Sequence, residues 1–150
     1  MYLYLKQKVF SIGEKFTFYD ERQNTVFTAT GSFFSIPKNF TLFENQTPVI
    51  RVERTFISLL PKFSVYDLAS NQLACTIKQK FSIKKNFLII TPEGDYRING
   101  SLFGYEFEIV SPEGKTIISV HKKYISWGVA LPASRIRLLR GAFSFKTFYV

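Results

Sequence analysis

Cysteine and histidine each occur once in these 150 residues, and each scarcity closes off a class of chemistry. With Cys75 alone no intrachain disulfide can form, which points to a reduced, cytoplasmic setting. Its strand-like surroundings read as a buried, inert thiol. His121 has no second histidine and no thiol near it in sequence, so a His/Cys metal site has no support. No apolar stretch is long enough to span a bilayer as a helix. The opening Met1-Tyr2-Leu3-Tyr4-Leu5-Lys6 lacks the charged segment and apolar run of a secretion signal. Nucleophile elbow, P-loop and dinucleotide glycine fingerprint are all missing. The one acid pair on a shared strand face, Glu106 and Glu108, reads as solvated carboxylates rather than a two-carboxylate hydrolase. The expectation is a protein that is not an enzyme and needs neither cofactor nor metal. Acids are also missing from residues 129–150, where Arg135, Arg137, Arg140 and Lys146 stand alone. Of the formal net charge of +9, the first 128 residues therefore carry sixteen cations against eleven acids, or +5.

Aromatic residues are abundant, with 17 Phe and 8 Tyr. Side chains of that kind favour the pleated, half-buried surface of a sheet. The length fits one domain with its own core. A short pattern recurs along it. Ser11, Ser35, Ser58 and Ser82 lie 24, 23 and 24 residues apart. At fixed offsets they are followed by Lys15-Phe16, Asn39-Phe40, Lys62-Phe63 and Asn86-Phe87, then by an apolar residue, then by Asp20, Glu44, Asp67 and Thr91. A repeat at this interval is usually one supersecondary unit used many times. Here it reads as two strands and a polar turn, because Phe16 and Phe18 alternate with Thr17 and Tyr19 at the strand period.

Polar clusters at 20–24, 44–48 and 70–72 mark turns, and Pro92-Glu93-Gly94-Asp95 and Ser111-Pro112-Glu113-Gly114-Lys115 mark hairpins. Counting the apolar-alternating runs between them predicts about eleven strands before Trp127. A meander of that length must close or stack to hide its edges, and closure is favoured here. Side chains just fill a barrel of about eight strands, so one of eleven or twelve needs a filler.

Several segments, in this order, resemble the LURP-one-related proteins: Leu5-Lys6-Gln7-Lys8-Val9-Phe10-Ser11, Lys78-Gln79-Lys80-Phe81, Tyr96-Arg97-Ile98-Asn99-Gly100 and Lys122-Lys123-Tyr124-Ile125-Ser126-Trp127-Gly128. The resemblance covers about residues 3 to 128. It implies membership of the tubby C-terminal-like superfamily, with tubby proteins and phospholipid scramblases as distant relatives. The implied fold is a twelve-stranded antiparallel barrel around one hydrophobic, roughly C-terminal helix. After Gly128 the sequence departs from the family pattern. Pro132 is unsuited to a central strand, and Ser134 to Arg140 is too short and basic to plug a lumen. The expected organisation is a barrel domain over 1–128 and an atypical basic and aromatic tail over 129–150, replacing the last strand and the helix as a shifted reading frame or a truncation would. An unfilled bore lined with Phe and Leu would be destabilising.

One functional signal stands out. Along Lys78-Gln79-Lys80-Phe81-Ser82-Ile83-Lys84-Lys85, alternation predicts Lys78, Lys80 and Lys84 on one face and Phe81 and Ile83 on the other. With Lys122 and Lys123, these lysines are the candidate contacts for an anionic ligand. The competing view is that they keep the barrel soluble and discourage edge pairing. The superfamily resemblance implies a module at the membrane surface that contacts anionic phospholipid. A protein-interaction or stress-associated scaffold is the alternative, and single-stranded nucleic acid on a Lys/Phe/Tyr platform is a weaker one.

Overall fold

Strands with one wet face alternate every second residue, and most of this chain does so. A computed structural model describes residues 2–8, 14–31, 39–55, 57–81, 86–101, 106–123 and 133–138, with the backbone alone for 6–8, 14, 122–123 and 133–138. The described residues form twelve strands: β1 (Tyr2–Lys8), β2 (Glu14–Tyr19), β3 (Thr25–Gly31), β4 (Asn39–Glu44), β5 (Thr47–Arg54), β6 (Lys62–Asp67), β7 (Gln72–Gln79), β8 (Phe87–Thr91), β9 (Gly94–Ser101), β10 (Glu106–Val110), β11 (Thr116–Lys123) and β12 (Ala133–Leu138). Each is antiparallel to its neighbours in sequence, and β12 pairs with both β11 and β1, so the meander closes into a barrel. No helix occurs among the described residues.

The inner face is identified by rings that meet across an intervening strand. Phe16 on β2 and Phe40 on β4 have centroids 6.2 Å apart, and β3 opposes them with the small residues Ala29 and Gly31. Side chains two strands apart converge in this way on a concave face. Register carries the same face round through Val52, Val65 and Cys75, and through Phe87, Ile98, Ile109 and Ile118. The recurring phenylalanines all lie on it. Phe87 is 2% exposed, whereas Phe16, Phe40 and Phe63 are half-buried. Burial is concentrated in β6 to β11, where Leu88, Val110 and Ile117 are buried on the opposite face as well.

The turns follow from side chains that imitate backbone. The Asp20 carboxylate accepts hydrogen bonds from the N–H groups of Arg22 and Asn24, both at 2.8 Å. Asp67 accepts from Ala69 N–H at 2.7 Å. Thr91 Oγ1 accepts from Glu93 N–H and donates to the Gly94 carbonyl at 2.8 Å. The last position of the repeat is thus a turn anchor, the local bonding for which Asp and Thr are suited. Between β4 and β5, Asn45 and Gln46 both take positive φ, 46° and 68°, the tight hairpin turn whose twist matches the strands.

Two expectations are corrected. The run from Lys78 to Lys84 is not one strand: β7 stops at Gln79, and Lys80 N–H bonds the Asn86 carbonyl at 2.7 Å, so the chain doubles back. Phe81 is not turned inward; it is 95% exposed. The last strand is also present in the stretch read as a tail, since residues 133–138 form β12. Pro132 precedes this strand rather than interrupting it, so no ladder donor is lost from its interior. The expected central helix and the rest of the tail lie outside the described residues.

Candidate functional site

Connections alternate between the two ends of the barrel, and the ends differ in chemistry. At one end are five tight turns; with their flanks, at 20–24, 44–47, 67–72, 92–95 and 111–115, they hold seven acids and two cations. At the other end lie the loops that lead into the even-numbered strands, each carrying the start of the repeat. Residues 54–92 contain Arg54, Lys62, Lys78, Lys80, Lys84 and Lys85 against the single acid Asp67, a net +5 of the molecule's +9. Asp67 sits at the turn end, occupied with its own turn.

Register assembles these cations. Lys62 at the start of β6 stands directly opposite Lys78 near the end of β7, and the row continues through Leu88 to Arg97. Like charges directly opposite on a sheet destabilise it. Neither lysine forms an ion pair among the described residues, where Arg51 with Glu53 at 2.9 Å is the pair found. That contact is off the line of a hydrogen bond, and Arg51 also lies 5.2 Å from the Tyr66 ring centroid. Lys78 and Lys80 are exposed, and Arg54 ends β5 at the same rim. The backbone there is fixed: Thr55 N–H bonds the Lys62 carbonyl at 2.9 Å, and Gln79 N–H bonds the Pro61 carbonyl at 3.0 Å. Lys62 was missed in the sequence because it lies 16 residues from Lys78; its lysine at the repeat position was the available signal.

The other candidates are placed differently. Lys84 lies outside the described residues. Lys122 and Lys123 end β11, opposite Ser134 and Ala133 of β12. Three strands separate β11 from β7, roughly 19 Å along the wall at about 4.8 Å per strand. They do not join the Lys62–Lys78 row. His121 is exposed and opposite Arg135. Glu106 and Glu108 are exposed on β10, with Glu108 accepting from Thr116 Oγ1 at 3.5 Å. Burial pushes the Cys75 thiol up to about 11, away from a reactive thiolate. Hydrogen bonds from Asn24 and Ser111 hold the Asp20 and Glu113 carboxyls below the usual range, which follows from their turns. Among the described residues, no three His, Cys, Asp or Glu side chains are grouped to hold a metal. None of their helices could cross a membrane, as they form none.

Fold and site together define a closed antiparallel β-barrel with an acidic turn end and a basic loop end. The profile of the LURP-one-related family matches residues 1–138, and the chain belongs to that family. The match includes β12, beyond the Gly128 limit of the sequence resemblance. The chain is also similar to the uncharacterized protein YxjI of Bacillus subtilis (strain 168), with 28% identity over 127 residues, covering 84% of this chain and 76% of that protein.

Proposed function

We propose that this protein is a non-enzymatic module that binds anionic phospholipid headgroups at a membrane surface through its basic loop end. The observation that supports this most directly is the facing pair Lys62 and Lys78, with Lys80 beside it and no acid in the row. A sheet that only needed solubility would intersperse both signs, as the Arg51–Glu53 pair does. Phosphates brought between the two ammonium groups turn a repulsion into an attraction. The acidic turn end adds an orienting effect, since an anionic surface attracts one end of the barrel and repels the other.

Sedimentation with vesicles of phosphatidylcholine alone, and of phosphatidylcholine with one quarter phosphatidylserine, tests the proposal. Binding is expected with the anionic vesicles and falls as salt rises. A cation near an anionic leaflet contributes about 1 kcal/mol. Reversing Lys62, Lys78 and Lys80 together to Glu should therefore weaken binding at least about a hundredfold. Unchanged binding of the triple variant refutes the assignment. Binding to single-stranded oligonucleotides with steep salt dependence, and not to vesicles, would favour the nucleic-acid reading instead.

A further inference from the structure

The basic rim carries a second feature that headgroup binding does not use. Ile57 and Leu59, in the loop between β5 and β6, are 99% and 105% exposed, and Phe81, just past β7, is 95% exposed. Scattered apolar residues on a surface are ordinary. These three belong to two loops that meet at one place, because β6 begins and β7 ends in the same register row and the Gln79 N–H to Pro61 carbonyl bond joins the loop bases. Lys62, Lys78, Lys80 and Arg54 stand around those bases. Leu73, the other large apolar residue notably exposed among the described residues, is at the turn end and only half bare, at 51%. Apolar tips standing beyond a row of lysines match the layering of an anionic bilayer, with phosphates outside and hydrocarbon within.

We infer that Ile57, Leu59 and Phe81 form a penetrating edge that enters the hydrocarbon boundary of an anionic bilayer while Lys62, Lys78 and Lys80 engage its phosphates. This rests on the membrane reading above and adds depth and orientation to it. Electrostatics brings the basic end to the surface. The apolar tips then make attachment resist salt, which headgroup contact alone does not. The barrel axis stands up from the membrane, with the acidic turns outermost.

The test uses an environment-sensitive nitrobenzoxadiazole label on the full chain. Cys75 is buried with its thiol held protonated at neutral pH, so the label goes to an introduced cysteine. Leu59→Cys places it at the loop end and Ser70→Cys at the turn end. With vesicles containing one quarter phosphatidylserine, the Leu59→Cys probe should brighten severalfold, shift to the blue and be quenched by lipids with spin labels on the acyl chains. The Ser70→Cys probe should not respond. The combined variant Ile57→Ser, Leu59→Ser, Phe81→Ser should melt at the parent temperature and bind these vesicles at least tenfold more weakly. Co-sedimentation without any response at Leu59→Cys overturns penetration and leaves headgroup binding standing. No co-sedimentation of the parent overturns both. A parent dimer in ultracentrifugation that the serine variant abolishes, with vesicle binding unchanged, assigns the tips to a second copy and also overturns the inference.

Discussion

The two ends of this barrel are built on opposite principles. At the turn end nearly every local demand is met from within: Asp20, Asp67 and Thr91 bond the backbone they bend, and Gly94 and Gly114 supply positive φ. At the loop end the demands are left open. Lys62 faces Lys78, and Ile57, Leu59 and Phe81 stand in water. One end is consistent at every level, which stabilises a fold. The other breaks local rules together in one place, which is the pattern expected of a functional surface. Changes at the turn end should therefore cost stability and spare membrane binding, and changes at the loop end should do the reverse.

The largest stability effect belongs to neither end and calibrates both. Phe87→Ala, at the start of β8, should cost about 3–5 kcal/mol in denaturant unfolding, as for a fully enclosed phenylalanine. Phe40→Ala, the same repeat position in a half-buried setting, should cost clearly less. Next in size, Gly114→Ala should lose about 1–2 kcal/mol through backbone strain alone, because φ is 84° and a Cβ there would touch nothing. Asp67→Ala should lose about 1 kcal/mol with its turn hydrogen bond. Both variants should bind anionic vesicles like the parent. Lys78→Thr should do the opposite, gaining about 0.2–1 kcal/mol of stability by relieving the facing charges while weakening vesicle binding. A stability loss in Lys78→Thr would break the comparison.

The smallest effect is a pH dependence. The side-chain hydrogen bond from Asn24, with the backbone bonds, holds the Asp20 carboxyl below 3.8 in the folded protein. A group depressed on folding contributes fully above its unfolded value, and the contribution is lost as pH falls through the folded value. Stability measured down from about pH 5 should decline in part for this reason, and Asp20→Asn should flatten that part of the slope.

Much of this architecture was legible in the sequence. The 24-residue interval marked the even strands, the acids that closed it marked the turn anchors, and alternation predicted eleven strands before Trp127. What was hidden depends on distant partners. β12 is six residues after a proline, and only its pairing with both β1 and β11 reveals it. The end of β7 was invisible because alternation runs on through Lys80 and Phe81, while the bond from Lys80 N–H to Asn86 decides where the chain turns. Leu88 and Ile117 are buried off the inner face, and the apolar runs Phe87–Ile90 and Ile117–Ile118 carry that signal as a failure of alternation. Of the candidate lysines, Lys78 and Lys80 hold their place on the rim. Their partner Lys62 required the fold.

Hydrogen exchange with and without vesicles containing one quarter phosphatidylserine tests the difference between the ends most directly. Membrane contact should slow exchange across residues 55–61 and 80–86 and leave the turns at 20–24, 68–71 and 92–95 unchanged. Slowing at the turns, or equal slowing at both ends, would contradict a barrel that meets the bilayer loop end first.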